Sequence, residues 1–197
     1  MAVVVKDQSE LIFSTYDDLK NTALKCTRCD LSTTRNKVVF SSGPGNCDVM
    51  VIGEAPGASE DETGIPFVGR GGQMLNKLFE EVGIFRNNIY IANDLKCRPP
   101  ENRNPKANEI HECSSYLWAQ IKFVKPKVIV PVGNFSTRFL LKTKDGIMSL
   151  RGKKFPQDSY IVVPTVHPAY VLRNGTRGQK EMLEDLKVVK NILDKKI

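Results

Sequence analysis

The chemistry of this 197-residue chain rests on five cysteines, two histidines and a few residues at strand ends. Cys26 and Cys29 form a C-x2-C pair, and Cys97 and Cys113 a second pair with fifteen residues between them. Two thiolates on one tight turn suit a metal, and four suit a tetrahedral zinc or an iron–sulfur cluster. Spacing does not choose between the two. Buried core thiols are the other reading of Cys97 and Cys113, since free cysteine is often buried. A first helix packed beside the second strand would bring the pairs together, which favours a metal. Cys47 stands alone and reads as a spare thiol. His167 sits in TVHPAYVLR, on a turn at the end of an apolar run, with an aromatic three residues later. An imidazole there suits hydrogen bonding to a reacting group; a histidine satisfied within its turn is the alternative.

The elements that must position these residues follow from hydrophobic patterning. Apolar runs at 49–52, 89–92, 128–132 and 160–166 read as strands, and three of them are nearly continuous in Val and Ile. Such runs are expected of strands buried on both faces. Helical spacing marks 72–82, 105–123 and 179–193, and residues 9–25 read as a first helix. Alternating strands and helices predict an α/β fold, with four mainly parallel strands lying between helices. Residues 98–106, RPPENRNPK, read as a polar loop. There is no internal repeat or low-complexity linker, so residues 1–197 are expected to form one domain.

In open α/β sheets, ligands bind beyond the carboxyl ends of the strands. Here those ends carry Gly53-Glu54-Ala55-Pro56-Gly57, Asn93-Asp94, Gly133-Asn134 and His167-Pro168. Each alone is ordinary turn chemistry. Together, on parallel strands, they face one crevice.

The chain carries 29 basic and 22 acidic residues, for a net charge of +7. A basic surface fits a nucleic-acid or anionic-membrane partner. No run is long enough to span a membrane, and the apolar start is too short for a signal peptide. An intracellular, cytoplasmic protein is therefore expected, where disulfides are rare.

Taken together, GEAPG (53–57), PFVGRGG (66–72), Asn93, the four cysteines in their order and HPAYVLR (167–173) resemble family 4 uracil-DNA glycosylases, iron–sulfur enzymes of bacteria and archaea. The resemblance runs from Cys26 to about Arg173. It implies a three-layer α/β/α fold and a [4Fe-4S] cluster on Cys26, Cys29, Cys97 and Cys113. It also implies a monofunctional, monomeric DNA-repair hydrolase that flips deoxyuridine out of single- or double-stranded DNA and leaves an abasic site. Phe67 would stack on the flipped base, Asn93 would distinguish uracil from cytosine, and Glu60 would block the thymine methyl. His167 would bond O2 of the departing base, with Glu54 and the backbone at Ala55 completing the pocket. The family 1 motif GQDPY has an aspartate where Ala55 stands, so no general base is evident at that corner. Tyr170 is expected to wedge the vacated base stack, and Arg70, Arg98 and Arg173 to meet phosphates. Glycines 69, 71 and 72 offer a further phosphate contact. The competing readings are a cluster-bearing electron-transfer protein, which leaves Phe67, Asn93 and His167 unused, and a zinc-stapled nucleic-acid-binding module without chemistry.

Overall fold

The computed structural model describes residues 12–195. Its sheet has five strands: β1 Val49–Gly53, β2 Ile89–Asn93, β3 Val128–Pro131, β4 Phe155–Pro156 and β5 Ile161–Val162, in the order β2-β1-β3-β5-β4. All neighbours are parallel except β4, which pairs antiparallel with β5. The helices are α1 Tyr16–Leu24, α2 Ala58–Thr63, α3 Arg70–Glu81, α4 Ala107–Val124, α5 Asn134–Leu141, α6 Ile147–Leu150 and α7 Pro168–Asp194.

Strand alternation builds the layers, because successive side chains point to opposite faces. Val49, Val51, Ile89, Ile91, Val128 and Val130 lie in one core with Leu75, Leu78 and Phe79 of α3 and Met182, Leu186 and Val189 of α7. Met50, Ile52, Tyr90, Ala92 and Ile129 lie in the opposite core, with Leu117, Ile121 and Val124 of α4 and Leu140 of α5. This is the expected three-layer α/β/α arrangement.

Several expectations change in detail. The sheet has five strands rather than four, because a two-residue strand carries too little periodicity to be seen in sequence. The run 160–166 is in the ladder only at Ile161–Val162. Pro164, which has no N–H, interrupts it, and a single bridge joins Val132 to Thr165 farther along. The first helix begins at Tyr16 rather than at residue 9, because the Thr15 side chain accepts from the Asp18 N–H and caps it there; residues 9–11 lie outside the described residues. The last helix begins eleven residues earlier than its periodicity suggests and is broken at Gly175 (φ 53°, ψ −131°). Among the described residues no helix is long and apolar enough to cross a membrane.

Candidate active site and cysteine cavity

The strand register places the site. Gly53 at the end of β1 stands opposite Asn93 at the end of β2. A Cβ on Gly53 would come within 2.3 Å of Asn93 Oδ1 and 2.6 Å of Phe67 Cζ, so glycine is required there for the amide and the ring to meet. Asn93 is buried, and its Oδ1 has no protein partner. A buried acceptor without a donor is costly, and it marks the place for a ligand N–H.

The loop carrying Phe67 is fastened to the first corner by Glu60. Its Oε2 accepts from the Gly57 N–H (3.1 Å), and its Oε1 accepts from the N–H groups of Val68 (3.0 Å) and Gly69 (2.9 Å). Backbone donors thus hold both carboxylate oxygens of Glu60, which fixes the side chain expected to block the thymine methyl. Gly69 caps α3 and gives its N–H to Glu60, whereas Gly71 and Gly72 lie in the first turn, where N–H groups lack intrahelical partners; a Cβ on Gly72 would come within 2.0 Å of the Phe67 carbonyl oxygen.

Glu54 is half-buried, and burial raises its carboxyl pKa. The Leu95 N–H donates to the Glu54 carbonyl at 3.0 Å, which ties this corner to the segment after β2. Ala55 beside it packs towards the cysteine-bearing core.

His167 caps α7. Its Nδ1 accepts from the Ala169 N–H at 3.1 Å, which leaves Nε2 to carry the proton of the neutral ring and to donate. Gly133, at φ 92°, packs against the imidazole; a Cβ there would lie 3.1 Å from His167 Cβ and 3.2 Å from Cδ2. Burial, aided by the Arg173 charge, lowers the His167 pKa from its usual 6.5. The ring is therefore neutral at pH 7. The unfolded chain takes up this proton before the folded one does, so the histidine's contribution to stability is present above about pH 6.5 and is lost as pH falls towards the lowered folded value. Protonating Nδ1 would also break the bond to Ala169. The acid limb of the pH–rate profile is expected below pH 6.5, and single-turnover rates measured across pH will check it.

Tyr170, expected as a DNA wedge, is half-buried near the start of α7, with part of its ring packed against the core that α3 and α7 share. Val171 is fully buried, whereas Leu172 is 38% exposed and projects from the same turn. Arg70 and Arg173 are exposed; Arg98 is half-buried, with its Nε donating to Asn102 Oδ1 at 2.8 Å.

The four expected cysteines do meet: Cys26, Cys29, Cys97 and Cys113 line one cavity with Arg28, Arg35, Lys96 and Tyr116. Arg35 Nη1 donates to Cys97 Sγ (3.3 Å), and the Lys96 N–H donates to Cys113 Sγ (3.2 Å). Burial pushes the Cys113 thiol up to about 12, opposed by Lys96, and raises Cys29 and Cys97. Among the described residues, no group of three or more His, Cys, Asp or Glu side chains is arranged to hold a single metal ion. A tetrahedral zinc would need its sulfurs within roughly 3.8 Å of one another, given Zn–S bonds of about 2.3 Å. A cubane, in which each thiolate binds a different iron, needs them farther apart. Cations beside the four sulfurs, and N–H donors to two of them, suit a negatively charged group.

Two residues of this region escaped the sequence reading as functional. Lys96 is buried, and its Nζ donates to the Asn93 carbonyl and to Gln120 Oε1, each at 2.6 Å. Burial lowers its pKa to about 8. It joins the strand end that holds Asn93 to the cysteine cavity. Asp94 is buried with Oδ1 unpaired, and burial raises its pKa well above the usual carboxylate value, opposed by Lys96. Only the Asn-Asp turn pair hinted at Asp94, and nothing local marked Lys96.

Fold and site together define the class, and sequence comparison agrees: the model of the uracil DNA glycosylase superfamily matches residues 40–187. The chain is 41% identical to a type-4 uracil-DNA glycosylase of Thermotoga maritima, over 87% of this chain and 91% of that protein. It is 40% identical to one from Saccharolobus solfataricus, over 87% and 83%, and 34% identical to one from Archaeoglobus fulgidus, over 91% and 94%. The chain belongs to the uracil DNA glycosylase superfamily, in its type-4 branch.

Proposed function

We propose that this protein excises uracil from DNA as a single glycosylase domain, using a pocket built from Phe67, Asn93, His167, Glu54 and the Ala55 backbone. The observation that carries this reading is the buried, unpartnered Asn93 Oδ1 beside the Phe67 ring. Uracil has an N–H at N3 to donate to that oxygen, and its O4 can accept from Nδ2. Cytosine has an acceptor at N3 and a donor at position 4, so it would meet the amide with both polarities reversed.

The base must leave the stack to reach this pocket. Phe67 stacks on its face and Asn93 reads its edge. As the C1′–N1 bond breaks, the electron pair passes to the uracil ring, and His167 Nε2–H stabilises the charge developing on O2. Stabilising such charge is usually the largest catalytic contribution. Water adds its oxygen to C1′ and gives up a proton. Glu54, which follows Gly53 at the end of β1, would order that water.

A [4Fe-4S] cluster on Cys26, Cys29, Cys97 and Cys113 would supply a structural cross-link between the segment after α1, α4 and the segment after β2. Arg28, Arg35 and Lys96 offset its charge.

For DNA contact, half-buried Tyr170 or the exposed Leu172 beside it takes the inserting position, with Arg70, Arg98 and Arg173 on phosphates. Affinity falls with salt by about 0.9 log units per log unit of salt for each phosphate contact. Arg173→Gln is therefore expected to weaken binding and flatten the slope by about 0.9, as read by fluorescence anisotropy from low to high salt. The function itself is tested by incubating the protein with uracil-containing DNA and cleaving the abasic sites with alkali. Strand breaks at uracil and not at cytosine or thymine are expected.

A further inference from the structure

Phe67 has a backbone problem that its neighbours must solve. It lies at φ 56°, in the left-handed region that a bulky residue rarely enters. Such a residue persists only where its surroundings over-determine it. Gly72 makes room for its carbonyl, as described above. The carbonyl groups of residues 66 and 67 also need donors, and one side chain supplies both.

That side chain is Arg86, in the short turn Arg86–Asn88 that feeds β2. Its Nη2 donates to the Pro66 carbonyl (2.8 Å) and to Ser42 Oγ (3.0 Å). Its Nη1 donates to the Phe67 carbonyl (3.3 Å) and to Asn76 Oδ1 of α3 (2.9 Å). Among the described residues no carboxylate forms an ion pair with it. A half-buried guanidinium is thus satisfied by four neutral oxygens from three separate segments. A surface arginine making a chance contact would not gather such a set, and an ammonium lacks the planar fork that reaches them together. The turn that carries Arg86 leads directly into β2, whose far end holds Asn93. The clamp therefore links the loop that stacks on the base with the strand that reads its edge.

We propose that Arg86 is a positioning residue: by clamping the carbonyl groups of Pro66 and Phe67 to the entry of β2, it holds the Phe67 ring where an extruded uracil stacks. This rests on the reading that Phe67 is the stacking surface. Arg86 itself touches no substrate; it acts through Phe67.

A double-mutant cycle tests it. Excision is followed under single-turnover conditions for wild type, Arg86→Ala, Phe67→Ala and the pair, with Arg86→Lys as the variant that keeps the charge and the stem. Binding to DNA carrying the uncleavable 2′-fluoro-deoxyuridine is measured alongside. Arg86→Ala and Arg86→Lys are each expected to slow excision on the order of tenfold or more, a loss within the range of coupled contacts. Because Arg86 works through the ring, the pair should be no slower than Phe67→Ala alone, within about twofold. Affinity for the uncleavable uracil site should fall, while affinity for the same duplex without uracil holds. Losses that multiply in the pair, or an Arg86→Lys enzyme with wild-type excision, would overturn the proposal and leave the glycosylase reading standing. If wild type itself fails to excise uracil, both fall together. Should Arg86→Ala fold poorly, the cycle runs with Arg86→Lys.

Discussion

His167→Ala is expected to slow single-turnover uracil excision by about 10²- to 10³-fold, the usual loss when one donor to a developing anion is removed. The argument is geometric. The Ala169 N–H occupies Nδ1, so the proton of the neutral ring is fixed on Nε2, and Gly133 packs closely against the imidazole. A donor held in advance needs no reorganisation when charge appears on the base. The bond strengthens as the base departs, so the loss belongs to the transition state more than to binding. Affinity for abasic-site DNA should stay within a few-fold of wild type, because the departed base no longer needs the donor. His167→Gln, which can still donate, should recover part of the rate. A His167→Ala enzyme that keeps its rate, or that loses abasic-site affinity in proportion, would show that the imidazole shapes the DNA site and does not assist the leaving group.

Cys113→Ser is expected to have the largest effect on stability. Loss of a metal site is among the few single changes that cost about 4 kcal/mol or more. For a domain of this size that is a fall in Tm of roughly 8–16 °C. The wild-type protein should be brown and contain about four irons per chain, as a cubane requires; the variant should be pale and iron-poor. The effect should spread to the pocket. Lys96 donates through its backbone to Cys113 and through its ammonium to the Asn93 carbonyl, so losing the cluster removes negative charge beside a buried cation that also touches the base-reading strand. Excision by the iron-poor protein should therefore fall even below its melting temperature. Metal analysis with thermal denaturation decides the matter. Colourless wild-type protein holding one zinc would contradict it, and so would a Cys113→Ser protein with full iron and unchanged Tm.

Cys26→Ala separates the two ends of the cavity. Cys26 is only half-buried and lies outside the sheet, whereas Cys113 lies in α4 against the core. Both changes should cost iron, and Cys113→Ser should cost more stability.

Much of this was legible in the residues, and for identifiable reasons. The Val- and Ile-rich runs at β1, β2 and β3 mark strands buried on both faces. Burial on two faces removes the need for polar alternation, and this leaves a local signal. The corner residues Glu54, Asn93 and His167 stand out because they end such runs. The C-x2-C of Cys26 and Cys29 is a local pattern as well. What could not be read locally was direction and partnership. Nothing in SSYLWAQ shows that Gln120 meets Lys96. Nothing in PGASED shows that Glu60 binds the N–H groups of Val68 and Gly69. Nothing local to HPAYVLR shows that part of the Tyr170 ring packs against the core once α7 has docked beside α3. Nothing local marks Arg86, whose four oxygen partners come from segments up to 44 residues away. Sequence by itself determined the strand and helix types, the corner chemistry and the cysteine set, because these depend on short-range burial patterns and residue type. Tertiary structure alone decided the strand order that sets Gly53 beside Asn93, the gathering of four cysteines around one cavity, and which polar side chains build the site and which support it. Those follow from long-range packing, in which a side chain's partner is chosen by the shape and unmet hydrogen bonds of segments distant in the chain.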